Sequence, residues 1–546
     1  MRQVELNQAW AEGNFYPRWG TDLALGHGMP IFSYAPPLLY QATQLVHLTG
    51  LPLDESMKGV LVFGFALYST GMFLFARRLY GAYPALVAAA VYVYAPYRLR
   101  EAYIQGNYGQ FMGLAFYPLV FWAFHGLVTT GQARYWFAAP LALAGLLFSH
   151  NISSMLFMPV FAAYLVILIL LTAWQRRPAI NPERDRGSPL SQIAVSFFRA
   201  AAAGLIGLGI AAIFWLPAFG ERYDIKLEGI TQGFFDFREN FIGLAELLSP
   251  PLPLDLAAIN PEFPLGLGLP QLAGALGGLL ALGVLAVWQW QGKSGAEGAA
   301  APSAANPART ERVRFLEPLV NTAFFAAFLL LYGFLAVPAS QVVWERVPLL
   351  DLTEFPWRML GPAIFCAAVL SAAGFFVLAT QISRTTEKAT RYLNVALGIS
   401  LFIVIALNGY YLYSSQFIPW GTPTPADAFA YEVRSGAIGT TSTGEFLPRW
   451  AEQHPQPDTL WPDYEASRLP QVLDPAMLPA GASAQTTAYL SEAIAIAIES
   501  PQPFRAVLRS LYWPGWQLYL NGRPLPFDIT PDTGLIQATI PAGQHT

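Results

Sequence analysis

The sequence predicts a polytopic α-helical membrane protein with a β-rich domain at its C-terminal end. Hydrophobic residues make up 54% of the 546 residues and charged residues 12%, whereas soluble domains carry about 25% charged residues. The mean hydropathy is +0.39. Apolar segments recur along the first 412 residues, and the composition then becomes polar and Pro-rich with alternating apolar patterns. Such alternation is typical of strands.

About ten segments approach the roughly 17 to 25 mostly apolar residues that a transmembrane helix needs. A few of them are short. The predicted transmembrane helices are 59–76, 81–97, 111–129, 134–149, 152–173, 193–217, 269–289, 317–338, 358–380 and 392–412.

The distribution of Lys and Arg predicts the orientation, because cytoplasmic loops are enriched in both. One side of the predicted bundle collects about fourteen of the 31 basic residues, in the loops 175–189 and 291–314 and at Arg77, Arg78, Arg134, Arg384, Lys388 and Arg391. We expect this side to be cytoplasmic and the protein to lie in the plasma (inner) membrane. The scheme requires that residues 33–51 do not span the bilayer.

Three regions follow from this scheme. Residues 1–58 are predicted to be an extracytoplasmic loop with a re-entrant or surface helix, whose aromatic rings lie at headgroup level. Residues 59–412 form the transmembrane domain. Residues 413–546 are predicted to be an extracytoplasmic β-sandwich-like domain.

Two patterns in the last region predict its strands. The segment "AIAIAIE" (493–499) alternates strictly, and "LYLNGRPL" (518–525) places Asn521-Gly522 between two strand-like runs. Asn-Gly is the strongest short hairpin signal. No closing strand is visible in "PAGQHT" (541–546), so we expect this domain to be incomplete.

Several classes of function are disfavoured. The net charge of −4 gives no basic surface for nucleic acid. Cys366 is the single cysteine, so the chain cannot form an internal disulfide or a Cys-based metal site. No phosphate-binding glycine motif is present, and the glycines of "GALGGLLALG" (274–283) instead indicate close helix packing.

Polar residues at membrane level are costly and often functional, and several lie at the predicted outer ends of spans. The stretch "YAPYRLREAYIQGNYGQ" (94–110) contributes Arg98, Arg100, Glu101 and Tyr108, and "FSHNIS" (148–153) contributes His150 and Asn151. A lipid-phosphate or sugar site explains them, because Arg suits phosphate oxygens. Capped helix ends and hydrogen-bonded turns explain them equally well.

Three further stretches supply candidates. The segment "LPAFGERYD" (216–224) contributes Glu221 and Arg222, "TEFPWRML" (353–360) contributes Glu354, Trp357 and Arg358, and the opening stretch 14–40 contributes Arg18, Trp19, Asp22 and His27. Solvated helix ends and interfacial Trp-Arg anchoring are the simpler interpretations. A carboxylate and an imidazole can also act as acid, base or metal ligand.

The order of these motifs resembles a known family. The motifs are "FYPRW", "GHGMPIFSYAPPLLY", "APYRLREAYIQG", "SHN", "FPWR", "GTTSTGEFLPRW" and "YWPGWQLYLNG". Together they resemble bacterial membrane proteins labelled 6-pyruvoyl-tetrahydropterin synthase-related, which are similar to YfhO-like proteins. The resemblance implies the architecture of GT-C-class glycosyltransferases rather than pterin synthesis, since the six histidines lack the spacing of a zinc site.

Two departures from the family pattern shape the expectation. Relatives carry a further helix and an outer-loop Asp before the "YPRW" motif, so we expect this chain to lack its first helix. Relatives also read Arg-Gly followed by Glu where this chain has Gln105-Gly106 and Gln110.

The resemblance implies a glycosyltransferase of cell-envelope glycan synthesis, or a degenerate relative. It would transfer a sugar from a polyprenyl-phosphate donor to an extracytoplasmic glycan or protein acceptor, among membrane lipids. Glu101, Glu221 or Asp22 would be the catalytic base, and the other candidates would bind substrate. A divalent cation is the only cofactor left open. A lipid or polysaccharide transporter or flippase, and a non-catalytic assembly protein, remain as alternatives.

Overall fold

The computed structural model describes residues 1–175, 189–227, 231–250, 265–297, 307–412, 423–441, 443–456 and 460–546. Residues 176–188 of the predicted cytoplasmic loop 175–189 and residues 298–306 of the predicted cytoplasmic loop 291–314 lie outside the described residues, as do parts of the predicted outer loop 218–268. The rest of 291–314 belongs to the helices Leu269–Glu297 and Pro307–Ala336, which end and begin within it. The structure is 66% helical.

The helices follow one another in the order α1 Arg2–Ala11, α2 Ile31–Tyr34, α3 Leu38–His47, α4 Leu53–Tyr80, α5 Ala82–Val93, α6 Pro96–Tyr103, α7 Tyr108–Thr130, α8 Ala133–Ser149, α9 Asn151–Gln175, α10 Pro189–Ile210, α11 Ala212–Gly220, α12 Leu244–Leu248, α13 Leu269–Glu297, α14 Pro307–Ala336, α15 Gln341–Arg346, α16 Leu360–Thr385, α17 Ala389–Asn408, α18 Pro425–Ser435 and α19 Trp461–Glu465.

Among the described residues, eight helical segments are long and apolar enough to cross a membrane, namely α4, α7, α9, the apolar parts of α10, α13 and α14, α16 with the turn before it, and α17. The chain is therefore a multi-pass, mostly helical membrane protein. Helices α5 and α8 have 12 and 17 residues, or roughly 18 and 26 Å at 1.5 Å per residue, against a hydrocarbon core of about 30 Å. The number of ten spans and their orientation stay predictions.

Residues Leu61–Ala211 and Phe234–Ile418 form one compact unit, a helical bundle. Its centre is a cluster of rings in which Phe121 contacts Phe75, Phe325 and Phe365 at centroid distances of 5.1 to 5.7 Å. Helices α13 and α16 approach closely through glycine, because a Cβ on Gly278 would lie 2.5 Å from the Leu370 Cβ. The close packing predicted for residues 274–283 is confirmed.

Within the described parts of the chain, the strands all lie in the last 64 residues and are β1 Ser483–Tyr489, β2 Ile494–Ser500, β3 Phe504–Leu511, β4 Tyr519–Leu520, β5 Arg523–Pro524, β6 Asp528–Ile529, β7 Leu535–Ile540 and β8 Gly543–His545. They form two three-stranded sheets, ordered β1-β2-β8 and β3-β7-β6, and the separate hairpin β4-β5.

Both strand patterns read from the sequence are confirmed. The alternating segment forms β2, and Asn521-Gly522 closes the β4-β5 hairpin with φ values of 52° and 76°. One expectation needs correction, because "PAGQHT" does contain a strand, β8, which pairs with β2. The signal was missed because Gly543-Gln544-His545 has no apolar alternation.

Residues Met1–Val60, Ala212–Gly233 and Pro419–Thr546 form the second compact unit, whereas the sequence divided the chain at 58 and 412. The opening stretch lies inside this unit. Its residues 19–35 share one apolar core with side chains such as Phe429, Leu460 and Trp513. Helix α3, with 10 residues, rises only about 15 Å and is too short to span a bilayer.

Candidate functional site

The short helix α6 places two oppositely charged side chains inside the bundle unit. Pro96 occupies its first turn, where the missing N–H costs nothing, and residues three apart share a helix face. Arg98 and Glu101 are therefore both buried, with exposed fractions of 2% and 0%. Helix α6 thus carries one cationic and one acidic side chain into the interior of the unit.

Arg98 is enclosed by rings rather than by hydrogen-bond acceptors. Its Cζ atom lies 4.3, 4.9 and 5.7 Å from the ring centroids of Phe65, Tyr68 and Phe111. None of its three guanidinium nitrogens has a hydrogen-bond partner among the described residues. Burial lowers the pKa of Arg98 to about 10, so the side chain stays charged at pH 7 and its donors remain available.

Glu101, on the same helix as Arg98, is a buried acid. Within the described part of the chain, neither carboxylate oxygen makes a hydrogen bond of normal geometry. Burial raises the pKa of Glu101 to about 7, opposed by the charges of Arg100 and Arg358 and by the nearby Tyr97 hydroxyl. A carboxyl with a pKa near 7 can both accept and release a proton at neutral pH.

A second charged pair stands at the start of α16. In the 3₁₀ turn Pro356–Met359, Arg358 donates from Nη1 to the Thr353 carbonyl at 2.8 Å and to Glu354 at 3.0 Å. Glu354 has a φ of 62°, a left-handed conformation that is strained for a residue with a side chain and that concentrates at functional sites. In this backbone conformation the Glu354 carboxylate contacts Arg358.

Aromatic residues join helix α6 to this second pair. The Arg100 guanidinium lies 4.6 Å from the Trp357 ring centroid, and the Tyr97 and Trp357 centroids are 6.2 Å apart. The Tyr97 hydroxyl accepts a hydrogen bond from Gln110 Nε2 at 2.5 Å. Arg100, Glu101, Trp357 and Arg358 therefore belong to one cluster, which we call the α6 site.

His150 lies beside this cluster, in the turn between α8 and α9. Its Nδ1 accepts a hydrogen bond from the Ser153 backbone N–H at 3.1 Å, which leaves the ring proton on Nε2. Burial, with the charge of Arg358 as the second cause, lowers the pKa of His150 well below its usual value. The neutral ring can thus donate from Nε2.

The two remaining candidates of the bundle unit begin helices near His150. Tyr108 and Asn151 are the first residues of α7 and α9. The first turn of α7 packs on His150, since a Cβ on Gly109 would lie 3.5 Å from its Cδ2 atom. The sequence did not single out Tyr97 or the rings around Arg98. Tyr97 had a local signal beside Arg98, but Phe65 and Tyr68 are more than 29 residues away and had none.

The other six candidates lie in the second unit, where most of their polar atoms have internal partners, although Asp22 Oδ2 has none among the described residues. Asp22 accepts a hydrogen bond from the Tyr464 hydroxyl at 2.6 Å, and the Asp22 N–H donates to Glu5 at 3.1 Å. His27 donates from Nδ1 to the Leu25 carbonyl at 3.0 Å. Burial raises the pKa of Asp22 to about 6 and lowers that of His27 to about 4.

Trp19 packs in the core of this unit against Trp516, with ring centroids 5.7 Å apart. Arg18 and Glu221 form an ion pair with each other. Arg222 is half-buried, stacks on Phe219 at 4.0 Å and donates to the Phe219 carbonyl. These contacts bind the opening stretch and residues 218–224 to their own unit.

Glu432 is a buried acid of this unit that the sequence did not single out. It accepts backbone N–H bonds from Ala24 at 3.1 Å, Leu25 at 2.6 Å and Gly439 at 2.6 Å. Burial nevertheless raises its pKa to about 7. In the sequence, Glu432 is one polar residue of an amphipathic helix, so no local signal marked it.

Among the described residues, no group of three or more His, Cys, Asp or Glu side chains is placed to hold a metal ion. The ionisable groups of the α6 site are the guanidinium groups of its two arginines and the carboxyl of Glu101. Such a donor set suits an anionic ligand with a proton to transfer. No protein-family model matches the chain, and no curated protein matches it.

Proposed function

We propose that this membrane protein is a glycosyltransferase that uses a polyprenyl-phosphate-linked sugar, with the α6 site as its catalytic centre. One observation carries the proposal. Glu101 is fully buried beside Arg100 and Arg358, and its carboxylate oxygens lack normal hydrogen bonds within the described chain. A buried acid without normal hydrogen bonds lowers stability, and acids kept in such surroundings often serve a function. The donor class comes from the family resemblance.

In this proposal the arginines bind the donor phosphate. Arg98 has all its guanidinium nitrogens without partners among the described residues, and Arg358 has one such nitrogen, Nε. Each charge-assisted hydrogen bond to phosphate contributes about 1.5 to 3 kcal/mol. The hydrocarbon tail of the donor stays in the bilayer. A site in a membrane protein can therefore bind the phosphate while the tail remains among the lipids.

Glu101 then takes the proton of the acceptor hydroxyl. The hydroxyl oxygen forms a bond to the anomeric carbon of the sugar while the bond from that carbon to the phosphate oxygen breaks. The electron pair of the broken bond leaves with the polyprenyl phosphate, whose negative charge the arginines stabilise. His150, neutral with its proton on Nε2, is placed to donate to the sugar or the phosphate.

The assay is release of polyprenyl phosphate from polyprenyl-phosphate sugars by the purified native protein in liposomes. We expect Glu101→Gln to lower the rate about 100-fold or more, because general-base catalysis contributes roughly that factor. Below about pH 7 the wild-type rate should fall tenfold per pH unit as Glu101 takes up a proton, and the variant should show no such dependence. Glu387→Gln, at an exposed turn, is the control and should leave the rate unchanged.

A transporter or flippase is the second candidate, and one observation favours it. His125, within the span α7, has its Nε2 3.5 Å from Oε1 of Glu317, at the start of the apolar part of α14, and its Nδ1 2.7 Å from the Tyr164 hydroxyl. Ionisable groups within spans often mark transport pathways. Movement of labelled lipid across vesicles without any release of polyprenyl phosphate would replace the glycosyltransferase by this function.

The proposal also places the α6 site and residues 413–546 on the extracytoplasmic side of the plasma membrane. Reporter fusions at residues 185 and 460 test this orientation. We expect a cytoplasmic reporter to be active at 185 and an exported reporter to be active at 460. Activity of the same reporter at both positions would contradict the orientation.

A further inference from the structure

The C-terminal domain contains an apolar cavity of about 500 Å³ between its two sheets. On one side, residues of β2 line it, chiefly Ile494, Ile496 and Ile498 together with the smaller Ala495. On the other side Ala506 of β3 and Ala538 of β7 line it. The two alanines are small residues on the inner faces of their strands, so the space lies where large side chains normally fill a sandwich.

The cavity is partly open at the surface of the domain. A water molecule takes up on the order of 30 Å³. The cavity is therefore more than ten times that size and falls within the range of roughly 300 to 1,000 Å³ typical of ligand pockets. Its aliphatic wall offers water few hydrogen-bond partners, so the space suits an apolar ligand.

The polar residues that line the cavity limit which head groups that ligand can carry. They are Glu492, Ser510, Gln517, Tyr519 and Thr546. No Lys, Arg or His is among the lining residues, all of which belong to the described chain. A carboxylate or phosphate head would lack a cationic partner and would face the exposed Glu492. Hydroxyl and amide groups would satisfy an uncharged head that carries hydroxyls.

We propose that this cavity binds the hydrocarbon chain of an uncharged lipid of the monoacylglycerol class. A methylene group is about as large as a water molecule, so the cavity accommodates roughly fifteen carbons, the length of one common acyl chain. The membrane in which the protein is embedded supplies such chains. The proposal does not depend on the activity of the α6 site.

Photolabelling of the complete native protein in lipid nanodiscs tests this site. The probe is a monoacylglycerol with a 16-carbon chain and a diazirine near the chain end, and mass spectrometry locates the adducts. We expect adducts on peptides from β2, β3 and β7. Adducts confined to the membrane-spanning helices would overturn the proposal, as would cross-links showing that a second copy of the chain occupies the cavity.

Substitutions that fill the cavity give the matched comparison. Ala538→Phe should reduce labelling of these peptides by about tenfold, since excluding even two methylene groups weakens binding by roughly that factor. Ala497→Phe is the control, because Ala497 is exposed and alternates with the inward-facing residues of β2, and it should change labelling less than twofold. Equal labelling of wild type and Ala538→Phe would overturn the proposal.

Two further arms complete the test. If Ala538→Phe reduces the yield of folded protein, Ala506→Leu fills the same space with a smaller side chain and should reduce labelling in the same direction. A palmitate probe with the same diazirine tests the head. We expect it to label these peptides much less than the monoacylglycerol, and equal labelling would overturn the uncharged head.

Discussion

Glu101 and Glu432 are both buried carboxyls whose pKa burial raises to about 7, but their oxygens have different surroundings. Three backbone N–H groups donate to Glu432, whereas the oxygens of Glu101 make no normal hydrogen bond within the described chain. A shifted pKa therefore does not by itself identify a functional acid. The difference in hydrogen bonding indicates that Glu432 is structural, and it is the reason for proposing Glu101 rather than Glu432 as the functional acid.

The largest expected effect separates the two acids by their contribution to stability. Glu432→Ala leaves three buried N–H groups without acceptors and should lower the free energy of unfolding by about 3 kcal/mol or more. Glu101→Ala removes a buried charge without hydrogen bonds and should lower it by less than about 1 kcal/mol, or raise it. Denaturant titration of the purified variants measures both changes. If both variants lose the same free energy of unfolding, the difference in hydrogen bonding between the two acids does not affect stability.

The pH dependence of stability gives an effect of intermediate size. The folded-state pKa of Glu432 is raised from 4.5 to about 7, so the folded state binds the proton more tightly than the unfolded state. The raised pKa of Glu432 therefore contributes to the free energy of unfolding below about pH 4.5. This contribution is lost as the pH rises through 7, by about 1.4 kcal/mol per pH unit. Relative to wild type, Glu432→Gln should therefore gain that amount of stability per unit between pH 5 and 7.

Comparison with wild type at each pH removes the contributions of Asp22 and His27, which titrate in the same unit and are common to the two proteins; the lowered pKa of His27 acts in the opposite direction. The contribution of Glu5 does change, because the charge of Glu432 helps to raise the pKa of Glu5, and it belongs to the measured difference. A difference independent of pH would mean that Glu432 keeps its ordinary pKa.

The smallest expected effect concerns the single hydrogen bond that Tyr464 donates to Asp22. Tyr464→Phe removes this donor and should lower the free energy of unfolding by about 1 kcal/mol. It should also raise the pKa of Asp22, because the bond stabilises the charged form. Tyr431→Phe, at an exposed position of α18, is the control. If Tyr464→Phe leaves the free energy of unfolding unchanged, the hydrogen bond to Asp22 has no structural role.

The sequence predicted the elements with strong local patterns. Long apolar runs predicted most spans, the alternation at 493–499 predicted β2, and Asn521-Gly522 predicted the hairpin. The candidates Arg98, Glu101 and Arg358 were found because charges at membrane level are rare. Their neighbourhood could be predicted only in part, since the rings around Arg98 come from α4 and α7, and no local pattern records which helices pack together.

The opening stretch shows the same limit more clearly. Aromatic residues with Gly and Pro fit a headgroup belt and a packed core equally well, so local composition could not separate the two. What decided its position were side chains far along the chain, including Glu432 and Tyr464, which bond to residues 22–25. Nothing within the first 60 residues specifies these partners.

The contact between Ala24 and Glu432 has a consequence for biosynthesis. The two residues are 408 positions apart, and ribosomes add roughly 5 to 20 residues per second. The nascent N-terminal segment must therefore wait on the order of 20 to 80 seconds for its partners to emerge. During that interval its aromatic side chains are unprotected, so chaperones or the membrane surface must shield them from aggregation until translation is nearly finished.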